Sequence, residues 1–255
     1  MKARKQTIIR AFAGADVYDD HAAVQRRVAE MLAGQIADLP LPSSPRICEF
    51  GCGTGFLSAA LAERIAGGDW LVTDICPQMV ERARARLGQA HFRFAVMDAE
   101  QPATLASEAP FDLICSSLAA QWFGDLEGAL RHLFRHVRPG GHLVLTVPTA
   151  GTFAEWRTEH ADLDLKPGTL EFATADALRS IRLDGVGARV VCASFVEQYR
   201  DGRSFLASLK AIGAHTPAAA HIPLNPLALR AVMRQFESHG ARTSYCVATC
   251  VFTKP

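Results

Sequence analysis

The chain has 255 residues, of which 49% are hydrophobic and 21% are charged. This balance is typical of a globular protein and excludes a disordered or fibrous chain. The formal net charge of +1 gives no global electrostatic basis for binding nucleic acid or a membrane, so neither partner is expected.

Neither a membrane span nor a signal peptide is predicted. The longest charge-free stretch, residues 211–229, contains three prolines, whereas a spanning helix needs about 20 mostly apolar residues. The basic first residues are followed by acidic ones rather than by an apolar segment. The seven cysteines include no C-x-x-C pair, which favours buried reduced thiols and no zinc site. We therefore expect a cytoplasmic protein without a metal.

The first predicted element is an amphipathic helix, because Val24, Val28, Met31, Leu32 and Ile36 recur at helical spacing. Strand-like and helix-like segments then alternate. Strands are predicted at 46–50, 70–74, 92–96, 111–115 and 142–147, and helices at 56–66, 77–87 and 126–137, the last closed by residues 138–141. This alternation favours an α/β protein with a Rossmann-like, doubly wound and mostly parallel sheet.

The rest of the chain adds two strands and a lid. Residues 189–199 and 243–252 are predicted as a C-terminal antiparallel strand pair, which completes a seven-stranded sheet. Helix-like segments at 205–213 and 226–236, joined by a loop rich in proline and alanine, form a small helical lid over one end of the sheet. We predict one domain over 1–255, with N-terminal helices at 1–45, a binding core at 46–148, and the lid and last strands at 149–255.

A glycine-rich turn, Glu49-Phe-Gly51-Cys-Gly53-Thr-Gly55, follows the first predicted strand. Glycines let a ligand approach the backbone closely, and ligands of such sheets bind beyond the carboxyl ends of the strands. The third glycine comes one residue earlier than in the dinucleotide pattern G-x-G-x-x-G, and Glu49 would repel a pyrophosphate. Both departures disfavour NAD and favour a ligand with an ammonium group, such as S-adenosylmethionine (SAM).

Two further acids follow the next two strands. Asp74 ends the second predicted strand, where a carboxylate can accept hydrogen bonds from both hydroxyls of a ribose. Asp98 follows the third strand and can accept a hydrogen bond from an adenine amine. A helix cap or a solvated loop would explain either acid alone. Three acids after three successive strands favour a nucleoside site.

Several motifs of the core occur together: Glu49-x-Gly-x-Gly-x-Gly55, Asp74, Asp98, Phe111-Asp112 and Arg138-Pro-Gly-Gly141. As a set they resemble the class I SAM-dependent methyltransferases over about residues 46–148. The flanks contain Lys5-x-x-Ile8-x-x-Ala11-Phe12, Tyr18-x-x-His21-Ala22-x-x-Gln25, Ser117-Leu-Ala-Ala-Gln-Trp122 and Ser208-Leu-Lys-Ala-Ile-Gly-Ala214. These flanks are similar to the malonyl-[acyl-carrier protein] O-methyltransferases of biotin synthesis, although Ser116-Ser117 replaces a common Ser-Asn pair and the chain after Gly213 diverges.

The resemblance implies SAM as the cofactor, S-adenosylhomocysteine (SAH) as the product, and no metal. It implies that Glu49 and the glycine turn face the methionine portion, Asp74 the ribose and Asp98 the adenine. The implied cofactor-binding set is Glu49, Gly51, Gly53, Gly55, Asp74, Ile75, Asp98, Ala99, Ser116, Ser117 and Leu118.

The implied reaction esterifies the free carboxyl of malonyl-acyl carrier protein, or of malonyl-coenzyme A, early in biotin (pimeloyl) synthesis. A carboxylate is already ionised at pH 7 and needs no general base, so the protein has to align the reactants and exclude water. Candidate catalytic residues are Tyr18, Lys210 and Arg203, and candidate substrate-binding residues are Gln121, Trp122, Arg200 and Phe205. Solvated lid surface is the alternative explanation for Arg203 and Lys210, and core packing is the alternative for Tyr18 and Trp122.

The C-terminal segment from Phe205 to Pro255 is basic, because Glu237 is its single acid beside Lys210, Arg230, Arg234, Arg242 and Lys254. A basic rim near the lid would steer an acidic acyl carrier protein, and scattered solvated charge is the alternative. Two other functions stay open: a methyltransferase acting on another small carboxylate or metabolite, and a SAM-binding protein without catalysis.

Overall fold

The structure, a computed structural model, describes residues 2–15, 17–89, 91–213 and 222–255. Its strands are β1 Arg46–Phe50, β2 Asp69–Asp74, β3 Phe92–Val96, β4 Phe111–Ser117, β5 Val137–Pro148, β6 Arg182–Leu183, β7 Val186–Gly187, β8 Arg189–Gln198 and β9 Arg242–Thr253. Its α-helices are α1 Lys2–Ala13, α2 Tyr18–His21, α3 Ala23–Ala37, α4 Phe56–Ala62, α5 Pro77–Leu87, α6 Leu126–Arg135, α7 Ala154–Ala161, α8 Ala175–Ser180, α9 Gly202–Ala211 and α10 Pro226–Ser238.

Seven strands form one sheet in the order β3-β2-β1-β4-β5-β9-β8, and β6 and β7 form a separate hairpin. Strands β1 to β5 pair in parallel, whereas β9 runs antiparallel to both β5 and β8. This topology confirms the predicted fold class. The strand order reverses between β1 and β4, which is where ligands of doubly wound sheets bind.

The central strands are buried on both faces, as parallel strands covered by helices should be. Ile47 of β1 joins an apolar layer with Leu32 of α3 and Leu61 of α4. The next residue, Cys48, joins the opposite layer with Leu133 of α6. The alternation of side chains along each strand therefore produces three layers, and it leaves the strand ends free to carry polar groups.

The Phe111-Asp112 motif holds the sheet together at the end opposite the predicted ligand site. A carboxylate oxygen of Asp112 accepts a hydrogen bond from the backbone N–H of Arg46 at 2.6 Å. The same carboxylate forms an ion pair with Arg138. This motif therefore ties the start of β1 and β5 to β4 and has a structural role.

The prediction that residues 138–141 close a helix is wrong. Helix α6 ends at Arg135, and β5 begins at Val137. Gly140 has a φ of +74°, and its N–H donates to the carbonyl of Lys254 at 2.9 Å. The reason is long-range pairing: the C-terminal end of the chain extends the ladder between β5 and β9, which overrides the local turn signal.

Other boundaries differ by a few residues. Helix α4 ends at Ala62 rather than at residue 66, and the chain then passes through Gly67 and Gly68, which both have positive φ. Helix α9 begins earlier than predicted because the Asp201 side chain accepts a hydrogen bond from the N–H of Ser204 at 2.7 Å, as an N-cap does.

The lid packs around one aromatic side chain. Phe205 of α9 is fully buried, and its ring centre lies 5.1 to 5.6 Å from those of Trp156, Tyr199, Phe153 and Phe236. These rings join α7, α9 and α10 to the edge of the sheet.

Helix α7 was not predicted. The proline/alanine loop falls largely on residues 214–221, and it lies with Ala214 of the Ser208–Ala214 motif outside the described residues. Among the helices described, none is long and apolar enough to cross a membrane.

Candidate functional site

The glycine turn between β1 and α4 forms the floor of a cavity at the carboxyl ends of β1, β2, β3 and β4. Gly51 has a φ of +64°, and a side chain there would collide with Ala119. Gly53 has a φ of +54°, and a Cβ placed on it would meet nothing within 4 Å. The first glycine is thus required by packing, whereas the second leaves open the space that a ligand would occupy.

This cofactor cavity is lined by most of the predicted cofactor-binding residues, namely Glu49, Gly51, Gly53, Asp74, Ile75, Asp98, Ala99, Ser117 and Leu118. Two predicted members do not line it. Gly55 forms the N-cap of α4 with a φ of +88° and packs against Ala83. Ser116 is fully buried, and its hydroxyl oxygen has no partner among the described residues.

Glu49 is buried at the end of β1 with 2% of its surface exposed. Its carboxylate accepts a hydrogen bond from the Ser58 hydroxyl. Burial raises the pKa of Glu49 to about 8, because loss of solvent penalises the charged form more than the Ser58 hydrogen bond stabilises it. A buried carboxyl of this kind favours a cationic partner, and the ammonium group of SAM has that character.

Both carboxylate oxygens of Asp74, at the end of β2, accept hydrogen bonds from backbone N–H groups. One of its oxygens accepts a hydrogen bond from the N–H of Gly53 at 2.9 Å, and the other accepts from Cys76 at 2.8 Å. Burial raises the pKa of Asp74, whereas these backbone donors oppose the change. The carboxylate also lines the cavity and keeps capacity to accept further hydrogen bonds, so it is oriented to receive ribose hydroxyls. The residues present therefore fit the ribose and methionine portions of SAM.

Asp98 is already paired in the structure. The Lys5 ammonium group lies 2.5 Å from one of its oxygens and 2.7 Å from a carboxylate oxygen of Glu100. The other oxygen of Asp98 accepts from the N–H of Glu100 at 3.1 Å. Lys5 belongs to α1, so this pairing brings the N-terminal helix over the cofactor cavity. The sequence pointed to Asp98, but it gave no reason to expect Lys5 beside it.

A second cavity of about 430 Å³ lies between the sheet and the lid. Its lining is mostly apolar and includes Trp156, Phe172, Leu206 and Tyr245 together with the predicted Gln121 and Trp122. None of the described residues that line it is a lysine or an arginine. The acyl cavity, as we call it, is therefore suited to an uncharged chain.

Five residues line both cavities and define a junction: Phe12, Tyr18, Gln25, Leu118 and Trp122. Leu118 has a φ of +51°, a strained conformation for a leucine. Its N–H donates to the Thr146 carbonyl at 3.1 Å, and its carbonyl accepts from the Gln121 amide at 2.6 Å. These bonds hold the strained backbone where the two cavities meet.

The polar groups of the junction are uncharged. The side chains of Tyr18, Gln25 and Trp122 form no hydrogen bond with any residue that the structure describes. Burial, and then the charge of Asp74, raises the pKa of Tyr18 well above its ordinary value. Its hydroxyl therefore stays protonated and can donate a hydrogen bond. Gln25 ends the motif that begins at Tyr18, but no role was predicted for it.

Four predicted substrate residues do not reach either cavity. Helix α9 holds both Arg203 and Lys210, as predicted, but both are exposed on the outside of the lid. The Arg200 side chain is 86% exposed and pairs with Asp201. Phe205 is the centre of the lid core instead of a cavity wall. Helix α9 is rotated so that Leu206 and Leu209 face the acyl cavity, which leaves Arg203 and Lys210 on the opposite side.

Two neighbouring features complete the placement. Phe123, which follows Trp122 in the chain, lines the cofactor cavity and stacks on Phe50 at 5.8 Å between ring centres. Lys254, counted in the basic rim, donates hydrogen bonds to the carbonyls of Phe134, Arg135 and Val137 at the far end of the sheet. No group of three or more metal-ligating side chains occurs among the residues described.

The fold and the site define a class I SAM-dependent methyltransferase. A family model described as a methyltransferase domain matches residues 21–193. The structure is also similar to that of the N-methyltransferase NodS from Bradyrhizobium japonicum in complex with SAH, with a TM-score of 0.55 and 18% identity over 99% of this chain and 98% of that one. At that identity the likeness concerns the fold alone.

Closer relatives narrow the family. The chain is 35% identical to the malonyl-[acyl-carrier protein] O-methyltransferase of Magnetococcus marinus, over 93% of this chain and 88% of that protein. It is 46% identical to the biotin biosynthesis bifunctional protein BioCD of Bordetella avium, over 95% of this chain. The match covers 51% of that protein, so the chain spans about half of its length. The chain belongs to the malonyl-[acyl-carrier protein] O-methyltransferase family.

Proposed function

We propose that this protein transfers the methyl group of SAM to the free carboxylate of a malonyl group carried on acyl carrier protein. The products are the malonyl methyl ester and SAH, and the step belongs to early biotin synthesis in the cytoplasm. The observation that carries the proposal is the junction: a cofactor cavity with acidic groups meets an apolar cavity at uncharged hydrogen-bond donors.

SAM, when bound, supplies an electrophilic methyl group, and the acceptor oxygen forms its bond to carbon as the bond from carbon to sulfur breaks. No proton has to move, because the carboxylate is ionised at neutral pH. The protein therefore needs no general base. Its work is to hold the carboxylate at the junction and to keep water out.

Tyr18, Gln25 and Trp122 support this role. Each carries an N–H or O–H donor, each lines both cavities, and none of the three side chains forms a hydrogen bond with the described residues. Lys5, the lysine that lines the cofactor cavity, is paired with Asp98 and Glu100. Neutral donors can orient a carboxylate without holding it back from the methyl group, since its charge is lost in the transition state. Gln121 and Trp122 then wall the start of the acyl cavity.

The acyl cavity supports a thioester arm as the rest of the substrate. It is larger than a malonyl group needs, and its described lining contains no lysine, arginine or carboxylate. A pantetheine arm is a long chain of mixed polarity that can lie along such a surface. Acyl carrier protein and coenzyme A both carry this arm, so the cavity alone fits either carrier.

The test is intact-mass spectrometry of malonyl-acyl carrier protein after incubation with the protein and SAM. We expect a mass increase of one CH₂ that depends on SAM. Acetyl-acyl carrier protein is the matched control, because it has the same arm and no free carboxylate. Malonyl-coenzyme A in a parallel reaction ranks the carriers. If the carrier-bound malonyl group gains no mass while SAM still binds, the acceptor is a different carboxylate or the protein only binds SAM.

Variants of the junction separate alignment from binding. Tyr18→Phe and Gln25→Leu should each lower kcat at least about tenfold, since each removes a donor that aligns the acceptor carboxylate with the methyl group. Lys210→Ala is the matched control, because its side chain lies on the outside of the lid. Unchanged kcat in both junction variants would contradict the assigned roles.

A further inference from the structure

The outer face of the lid carries a basic groove, which we define by Arg203, Leu227, Arg230 and Arg234. On α10, Leu227, Arg230 and Arg234 follow one another at intervals of three and four residues, so they share one face of that helix. Arg203 comes from the first turn of α9, across the groove. The groove is a separate surface from both cavities described above.

The groove keeps an excess of positive charge, because its three arginines outnumber its two carboxylates. Asp201 is paired with Arg200 and accepts from the N–H of Ser204 at 2.7 Å, and Glu237 accepts from the N–H of Gly202 at 2.9 Å. Arg203, Arg230 and Arg234 are exposed and form no ion pair with any residue that the structure describes. Three guanidinium groups therefore remain available to an external anion.

An exposed apolar residue lies among these charges. Leu227 is 75% exposed in the first turn of α10. A large aliphatic side chain with cations on its own helix face is a common composition for a protein contact, because the apolar centre is buried and the charged rim selects the partner. A simple phosphate or a small acid would leave Leu227 in water.

The same two helices separate the groove from the acyl cavity. Leu206 and Leu209 of α9 and Leu229 of α10 line the cavity, while Arg203 and Arg230 face the groove. A helix with its side chains is about 10–12 Å across. The phosphopantetheine arm of a carrier protein is longer than that when extended. A carrier seated in the groove could therefore place its acyl group in the cavity.

We propose that the basic groove docks the acidic helical surface of acyl carrier protein beside the point where its arm is attached. This inference rests on the proposed function. Charge complementarity selects this partner: the carrier is acidic, and the groove offers three unpaired arginines around one apolar contact. The groove contains only part of the basic rim predicted from the sequence, because Lys254 donates a hydrogen bond to the carbonyl of Val137 at the far end of the sheet.

The test uses the double variant Arg230→Glu/Arg234→Glu in the full-length protein. For malonyl-acyl carrier protein we expect KM to rise at least about tenfold, with kcat at saturation unchanged, because charge reversal on a rim alters encounter and affinity rather than chemistry. KM for malonyl-coenzyme A should stay within about twofold. Arg230→Lys/Arg234→Lys keeps the charge and should lie close to the wild type.

The matched control is Arg135→Glu/Arg189→Glu, which changes the total charge equally at exposed positions away from the lid. Binding of fluorescently labelled carrier protein, followed by anisotropy at two salt concentrations, gives a readout that does not depend on turnover. The α10 variant should bind at least about tenfold more weakly than the control, and the salt dependence of binding should fall.

The outcomes separate the two proposals. If the wild type methylates the carrier-bound substrate and the α10 variant binds it as tightly as the control does, the groove is not the docking site. Should the wild type bind the carrier without methylating it, and the α10 variant lose that binding, docking holds and the proposed acceptor is wrong. If the wild type neither binds nor methylates, both proposals are refuted.

Discussion

Lowering the pH from 7.0 to 6.0 is expected to weaken SAH binding nearly tenfold. Burial raises the pKa of Glu49 to about 8, so the unliganded protein holds this carboxyl mostly protonated at neutral pH. We expect the ligand's ammonium group to select the ionised form. For a group with a pKa near 8, the ionised fraction is about 9% at pH 7 and about 1% at pH 6. Because the pKa is raised, affinity should increase with pH and level off above 8.

Calorimetric titration with SAH at pH 6.0, 6.5 and 7.0 measures this change. Repeating the titration in buffers of different ionisation enthalpy counts the proton that binding releases from Glu49. Glu49→Gln is the control: it keeps an acceptor for the Ser58 hydroxyl and cannot titrate, so its affinity should not vary over this range. A wild-type affinity that is equal at pH 6.0 and 7.0, with no proton released, would refute the reasoning.

Four further predictions concern the cofactor site and the sheet that supports it. Asp74→Ala should weaken SAH binding by at least about 100-fold in calorimetry, because two charge-assisted hydrogen bonds are lost. Arg138→Ala should lower the melting temperature in circular dichroism by about 2–4 °C, since Asp112 loses an ion pair that is only partly screened. Gly51→Ala should destabilise the fold in the same assay, because it collides with Ala119 at positive φ. Gly53→Ala should weaken SAH binding and should lower stability less than Gly51→Ala does, because its φ of +54° strains an alanine but the added Cβ meets no neighbour.

Much of the fold could be predicted because its signals are local. The strand at 92–96 and the helix at 77–87 match the structure at both ends. The strand alternates large apolar residues with others, and the helix is bounded by Pro77 and Gly88. The segment 138–141 could not be placed this way. Its conformation depends on pairing with Lys254, which lies more than a hundred residues away in the chain.

The cofactor cavity was more predictable than the acyl cavity for the same physical reason. Glu49, Asp74 and Asp98 lie at the ends of neighbouring parallel strands, so the fold alone brings them together. The acyl cavity is assembled from α2, α3, α7, α9 and the loop around Thr169. Side chains meet there through the rotation of each helix, and sequence spacing does not fix rotation relative to a distant element. The helical spacing of Phe153, Trp156 and His160 was the available signal for α7.

The placement of charge connects the two proposals. A cation beside the acceptor carboxylate would stabilise it before transfer and lose that interaction in the transition state, so it would slow the reaction. The described lining of the acyl cavity has no lysine or arginine, and Lys5 is held by Asp98 and Glu100. Arg230 and Arg234 lie on the outer face of the lid, where they can attract a carrier without touching its acyl group. Adding a lysine at Gln25 should therefore lower kcat more than Gln25→Leu does, although it would strengthen substrate binding.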